Sequence, residues 1–303
     1  MKHFVDLKSI SSRDLREIIF DAISMKSFRS GNFSGTNDET QILRDVVVAL
    51  IFQKPSTRTR FSFEVGIRQM GGTSISVSGA EMQINNGEEI CDTAQVLSRY
   101  VDMIVIRATD EKIVSELALY SNVPVINGLT NLSHPCQIMA DIMTYEEERG
   151  SITGKKVVWF GDGNNVCQSF LDASRKFYFD FVYCGPEKLQ PKGTASDKKV
   201  NCHIEVDPKK AVEGADLVVT DTWISMHEKV EVSQHKQRLL QPYQINLDLL
   251  KNAHPEVLFM HCMPIYRGNE VTVSVVEKFK KTILNQAENR LHVQKAIMKW
   301  CLL

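Results

Sequence analysis

The segment Phe52-Gln-Lys-Pro-Ser-Thr-Arg-Thr-Arg60 gathers three hydroxyls and two arginines where an apolar run gives way to a helical pattern. The first turn of a helix exposes unpaired N–H groups at the positive end of its dipole, which favours an anion. Ser56, Thr57 and Thr59 can donate to anionic oxygens, and the guanidinium forks of Arg58 and Arg60 match a phosphate in shape and charge. A capped surface helix with two solvated arginines is the plain alternative. In His134-Pro135-Cys136-Gln137 the histidine and glutamine are three residues apart, on one face if a helix begins there; a His-Pro pair also marks many ordinary helix starts. Gly161-Asp-Gly-Asn-Asn-Val166 and Asp221-Thr-Trp-Ile-Ser-Met226 each follow an apolar run and offer amides, carboxamides and a carboxylate. An aspartate in that position is more often only a turn or a cap. His261-Cys262-Met263-Pro264 follows another such run, and Cys262 alone of the cysteines sits in a pattern that asks for chemistry.

These residues fall at the ends of strand patterns, so the elements around them say what brings them together. After Ser11-Ser12, Leu15, Ile18, Ile19, Ala22 and Ile23 recur at helical spacing. The run from Asp45 to Phe52 reads as a buried strand, and Arg58 to Met70 as a helix closed by Gly71-Gly72. The alternation continues with a helix near Asp92 to Tyr100, a strand at Met103 to Ile106, a helix at Glu111 to Tyr120 and a strand at Val123 to Ile126. A second round has strands at Lys156 to Phe160, Phe181 to Cys184, Leu217 to Thr220 and Val257 to Met260, with helices at Val166 to Lys176 and Pro208 to Val212. Strands alternating with helices predict an α/β fold of two doubly wound parallel-sheet domains. His134 to Arg149, with Pro135 in its first turn, reads as a long helix joining them, and a last helix spans Asn285 to Trp300. The expected division is 1–133, completed by the C-terminal helix 285–303, then the joining helix 134–150, then 151–284.

Composition narrows the function. A net charge of −1 gives no basic field for a polyanion, so no nucleic-acid partner is expected and a small molecule is the better substrate. The longest apolar stretch, Val46 to Phe52, is far short of the roughly 20 residues that span a bilayer, so no membrane is expected. The start of the chain lacks the apolar core of a secretory signal, and seven cysteines form no CxxC pair. A cytoplasmic protein with reduced thiols follows as the expectation. Gly161-Asp-Gly163 invites a dinucleotide-binding reading, and with it a nucleotide-dependent dehydrogenase. Val166 nevertheless replaces the third glycine, and the next strand ends at Cys184-Gly185 without a carboxylate for a ribose.

Ser56-Thr57-Arg58-Thr59-Arg60 resembles the carbamoyl-phosphate signature of the aspartate and ornithine carbamoyltransferases, and His134-Pro-Cys-Gln137 resembles their His-Pro-x-Gln motif. The resemblance runs over nearly the whole chain with the signatures in order. It implies that Ser56, Thr57, Arg58, Thr59, Arg60, Arg107 and, from a loop of the neighbouring subunit, Gln83 hold carbamoyl phosphate. His134, Gln137 and Arg290 would contact the carbamoyl group, with Arg58 and Arg107 also counted among the catalytic residues. His261-Cys-Met-Pro264 resembles the His-Cys-Leu-Pro of the ornithine branch, which aspartate enzymes lack; Cys262 and the Met263 carbonyl would then receive the δ-amine beside the carbamoyl group. Asn165, with Asn164 beside it, and the Met226 amide would meet ornithine's α-carboxylate, while Asp221 and Ser225 hold its α-ammonium. The family has Gly where this chain has His227, a departure that bears on closure of that loop. The implied activity is carbamoyl transfer from carbamoyl phosphate to ornithine, by a homotrimer with shared active sites and with no metal or organic cofactor. A carbamoyltransferase for putrescine or an acylated ornithine is the nearest alternative.

Overall fold

Several helix starts in this chain are set by side chains that satisfy the first N–H groups. Ser11 Oγ accepts the N–H of Asp14 at 3.0 Å and donates to its carboxylate at 2.7 Å, opening α1 (Ser12–Arg29). The structure, a computed structural model, describes residues 1–29, 31–82, 87–192, 202–224 and 230–303. Gln83, Ser225, Met226 and His227 lie outside the described residues. The chain divides into two compact units, Met1–Met143 with Glu288–Leu303, and Thr144–Ala287.

The first unit continues with β1 (Val47–Phe52), α2 (Thr57–Gln69), β2 (Thr73–Ser78), α3 (Ile90–Leu97), β3 (Met103–Arg107), α4 (Glu111–Tyr120), β4 (Val125–Leu129) and the start of α5 (Pro135–Arg149). Its sheet, in the order β2-β1-β3-β4, is parallel throughout, and Phe4 adds a parallel bridge to Ile126. Ala49, Ile51, Ile104, Ile106 and Val125 meet Ala94, Val114 and Leu117 in one apolar core. The strand at Thr73–Ser78 is absent from the sequence reading, and the fourth strand starts two residues later than its apolar pattern suggested. β2 is an edge strand in which four small hydroxyl residues are interspersed with Ile75 and Val77 and none is buried, so no apolar run marks it.

The second unit holds β5 (Lys156–Phe160), α6 (Asn165–Phe177), β6 (Asp180–Cys184), β7 (Cys202–Ile204), α7 (Pro208–Val212), β8 (Leu217–Thr220), α8 (Val230–Leu240), α9 (Leu247–Leu250), β9 (Leu258–His261), α10 (Val273–Lys278) and part of α11 (Lys280–Leu302). Its parallel sheet runs β7-β6-β5-β8-β9. Val158, Phe160, Val182, Val218 and Phe259 pack there against Val275, Val276 and Phe279. α11 begins at Lys280, five residues before the expected Asn285, because nothing from Val273 onward breaks a helix except the short α10–α11 junction at Phe279.

The C-terminal half of α11 packs on α2 of the first unit, where a Cβ on Gly66 would stand 3.0 Å from Lys295 Cγ and 3.3 Å from Leu291 Cδ1. This face is polar yet buried. Lys295 Nζ donates to Asp38 at 2.5 Å and to Gln69 at 3.1 Å. Among the described residues, neither ring nitrogen of the fully buried His292 has a hydrogen-bond partner. Burial and the charges of Lys295, Arg29 and Lys26 push its pKa down to about 3, although Glu288 lies 3.7 Å away. A histidine with a depressed folded pKa stays neutral while the unfolded chain takes up a proton below about pH 6.5, so stability falls as pH drops from there toward 3. His292 therefore costs the fold about 2 kcal/mol at pH 5 relative to pH 8. Urea unfolding at both pH values is expected to show that difference shrinking in His292→Leu; an unchanged pH slope would count against it.

Candidate active site

In an open α/β sheet the order of strands reverses at a switch point, and the loops leaving the two strands there diverge to form a crevice at their carboxyl ends. The first unit switches between β1 and β3, the second between β5 and β8. Phe52–Arg60 leaves β1, Arg107 ends β3, Gly161–Asn165 leaves β5 and Asp221 follows β8. The residues singled out in the sequence thus stand at both switch points.

In the first unit the ends of β1 and β3 are tied together, with the Gln53 N–H donating to the Arg107 carbonyl at 2.9 Å and the Thr109 N–H to Gln53 Oε1 at 2.9 Å. Ser56 is the extended N-cap of α2, yet its hydroxyl does not cap the helix and instead accepts from Arg107 Nη1 at 2.9 Å. The Ser56 hydroxyl thus caps none of the first-turn amides of α2. Thr59 is buried and accepts from Arg290 Nη2 at 3.2 Å, while Arg290 Nη1 donates to Gln137 Oε1 at 2.6 Å. Gln137 Nε2 in turn donates to Asp141 at 2.8 Å, which fixes the orientation of the carboxamide.

Arg58, Arg107, Arg290 and His134 form one electropositive cluster. Burial and the charges of Arg290 and Arg58 lower the Arg107 pKa to about 10, so it remains a cation at neutral pH. Burial and the charges of Arg290, Arg107 and Arg58 hold His134 well below the usual histidine range. A neutral imidazole among three guanidinium groups donates a hydrogen bond without giving up its proton, a suitable partner for a polarised carbonyl. The loop before His134 is held by Glu111, whose carboxyl accepts the hydroxyls of Thr130 and Ser133, and Asn127 Nδ2 donates to Ser133 Oγ at 2.9 Å. Arg60 stands apart from this cluster: its half-exposed side chain donates to Glu64 at 2.9 Å, one turn along α2.

In the second unit Asn164 is the N-cap of α6, accepting from the N–H groups of Val166 and Cys167, and its Nδ2 donates to Asp221 Oδ2 at 2.8 Å. Asn165 is the first residue of α6. Asp221 Oδ1 accepts the Thr222 N–H at 2.7 Å and the Cys262 thiol at 3.0 Å. A carboxyl, a carboxamide, a thiol and a helix start therefore meet at one place, a set able to hold a zwitterion and a neighbouring amine.

Ligand atoms of Asp221, His261 and Cys262 lie within 4.8 Å of one another. Both His261 nitrogens are engaged, Nδ1 with the Met263 N–H at 2.9 Å and Nε2 with Glu270 at 3.1 Å. A metal would have to break a buried bond, so these residues fit a resident ion poorly. The glycine loop fits a dinucleotide no better. A Cβ at Gly163 would overlap the Leu189 carbonyl oxygen, and the Gly163 N–H donates to that oxygen at 2.8 Å. The glycine admits the chain's own backbone, and the amide a pyrophosphate would need is already taken.

The first of two parallel α/β units thus carries an electropositive cluster suited to an anion, and the second a carboxyl, carboxamide and thiol suited to an amine and an acid. The family described as aspartate/ornithine carbamoyltransferase, carbamoyl-P binding domain, matches residues 2–147, and its Asp/Orn binding domain matches residues 153–301. The ornithine carbamoyltransferase of Roseobacter denitrificans is 56% identical over 306 residues, covering 100% of this chain and 99% of that one. Among solved structures, ornithine carbamoyltransferase from Pyrococcus furiosus is similar with a TM-score of 0.90 and 40% identity, over 98% of this chain and 96% of that one. That from Burkholderia thailandensis is similar with a TM-score of 0.88 and 38% identity, over 100% and 99%. The chain belongs to the aspartate/ornithine carbamoyltransferase family.

Sequence reasoning missed Glu111 and Glu270, which sit behind the His134 and Cys262 loops. Neither lies in a recognisable pattern. Glu111 reads as an ordinary acidic residue in a first helical turn, and only the hydroxyls of Thr130 and Ser133, grouped before His134, hint that an acceptor is needed there.

Proposed function

We propose that this protein transfers the carbamoyl group of carbamoyl phosphate to the δ-amine of L-ornithine, giving L-citrulline and phosphate. The observation that carries this reading is the cluster of Arg58, Arg107 and Arg290 around the neutral His134 at the N-terminus of α2. In this reading Ser56, Thr57, Arg58, Thr59 and Arg107 hold the phosphate, with Gln83 reaching in from a neighbouring subunit of a homotrimer. His134, Gln137 and Arg290 hold the carbamoyl oxygen. Arg60, engaged with Glu64, steadies α2. Asp221 receives ornithine's α-ammonium with Ser225, Asn165 and the Met226 amide receive its α-carboxylate, and Cys262 with the Met263 carbonyl receives the δ-amine. Asn165 for an α-carboxylate together with Asp221 for an α-ammonium favours an α-amino acid over putrescine, which has no carboxylate, and the Asp221 carboxyl disfavours a second acidic group such as that of aspartate.

Neutral Nδ attacks the carbamoyl carbon, and the negative charge that builds on the carbamoyl oxygen is met by His134 and Arg290. The C–O bond to phosphate then breaks, and phosphate leaves with the proton lost by Nδ. Every atom is accounted for without a covalent enzyme intermediate or a cofactor. Placing two substrates in attack geometry contributes about 7–11 kcal/mol, and each oxyanion donor roughly 2.7–4 kcal/mol. No helix among the described residues is long and apolar enough to cross a membrane; we place the enzyme in the cytoplasm on the strength of its reduced thiols. Citrulline formation from carbamoyl phosphate, measured with ornithine, putrescine, acetylornithine and aspartate as acceptors, tests the assignment. Ornithine is expected to be preferred strongly, and a higher rate with any of the other three would refute it.

A further inference from the structure

Behind the Cys262 thiol lies a pair of groups that the reaction itself does not use. His261 and Glu270 are both 0% exposed and meet at 3.1 Å between Nε2 and Oε1. Because His261 Nδ1 accepts the Met263 N–H at 2.9 Å, the ring proton is on Nε2 and is donated to Glu270. The same oxygen of Glu270 accepts the Tyr266 N–H at 2.6 Å, and the Glu270 carbonyl accepts the Ile245 N–H at 3.0 Å. One imidazole and one carboxyl therefore clip the backbone at Met263 and at Tyr266, in the bend that follows Cys262 at the end of β9.

The bend needs such support. Met263 has φ +62°, a left-handed conformation that is strained for a residue with a Cβ. The amide that His261 holds is that of Met263 itself. Immediately before it, Cys262 Sγ rests 3.0 Å from Asp221 Oδ1, so the geometry of the bend sets where the thiol meets the carboxyl. Removing two polar side chains entirely from water is unfavourable, and an apolar pair of similar volume would stabilise the fold at least as much but could accept neither backbone N–H. Glu270 Oε2 has no partner among the described residues, which adds to the cost. The hydrogen bonds confer position.

We infer that His261 and Glu270 are positioning residues for the acceptor half of the reaction, holding the Cys262 thiol and the Met263 carbonyl where the δ-amine is received; this rests on the function proposed above. Three variants test it: Glu270→Ala, His261→Phe, and His261→Asn, whose amide oxygen can still accept the Met263 N–H. Glu270→Ala and His261→Phe are expected to lower kcat/KM for ornithine about 10–100-fold, as loss of a group that orients a reactive ligand does, with KM for carbamoyl phosphate within about twofold. His261→Asn recovers part of the loss. Independently, alkylation of Cys262 by iodoacetamide, located by mass spectrometry, is expected to change rate in the first two variants and to return toward the parent rate in His261→Asn. A folded variant in which either the kinetics with ornithine or the Cys262 labelling rate stays at the parent's value overturns the inference. If the parent makes no citrulline, the proposed function fails by itself, and the labelling rates still decide whether the clip sets the position of the thiol.

Discussion

Arg107→Ala is expected to lower kcat/KM for carbamoyl phosphate by about 10³-fold, or ~4 kcal/mol, without lowering the stability of the ligand-free protein. The two halves of this result have one cause. Arg107 ends β3 at the switch point, donates to the Ser56 hydroxyl at 2.9 Å and shares its surroundings with Arg58 and Arg290. Its pKa falls to about 10 because burial and two like charges disfavour the cation. At any pH below about 10 the protonated group therefore costs the empty fold free energy, and taking it away relieves that repulsion. When a phosphate is bound, the same charge is the attraction. Thermal unfolding with and without inorganic phosphate separates the two. Phosphate at about 100 times the parent's Kd adds ~2.7 kcal/mol to the parent, and it is expected to add less than about 1 kcal/mol to the variant. A variant that loses stability without phosphate, or keeps the full phosphate response, would show that Arg107 serves the core and not the anion.

Asp221→Asn carries the second large effect, on the other substrate. Asp221 is the meeting point of Asn164 at 2.8 Å, the Thr222 amide at 2.7 Å and the Cys262 thiol at 3.0 Å. An asparagine keeps the shape and the acceptor for two of these, and loses the charge that would face an α-ammonium. Removing one partner of a hydrogen-bonded charge pair costs 2–5 kcal/mol, so kcat/KM for ornithine is expected to fall by about 10²–10³-fold. Because Asp221 belongs to the second unit and the arginine cluster to the first, the phosphate response in thermal unfolding is expected to stay at the parent's value. Equal losses toward both substrates would instead mark a general disturbance of the β8 loop.

Much of the fold was readable from local pattern. β1, β3, β5 and β8 are four- to six-residue apolar runs buried on both faces of a parallel sheet, and such runs stand out between amphipathic helices. β2 and β7 did not stand out, one a polar edge strand and the other only three residues long, because an edge strand need bury only part of its surface. The arginine and hydroxyl segment was legible for the same local reason: a strand end, a Pro and a helix start lie within a few residues.

Residue types, their order and the alternation of apolar runs with helices are determined along the chain, since each depends on neighbours a few residues away. That is why the α/β class and the signature segments could be read directly. Which strands lie side by side depends on free energies of packing over the whole unit, and only the folded chain decides that β1 meets β3 and β5 meets β8. The same holds for direction. Arg58 and Arg60 stand two residues apart, about 200° around a helix, and packing turned Arg60 to Glu64 while leaving the charge of Arg58 with Arg107 and His134. Arg290 reaches Gln137 across a sequence separation of 153 residues, and Glu270 supports Cys262 from beyond a bend that no periodicity describes. Contacts of that kind are settled by how buried surfaces fit, a property of the folded whole that no short window of sequence contains.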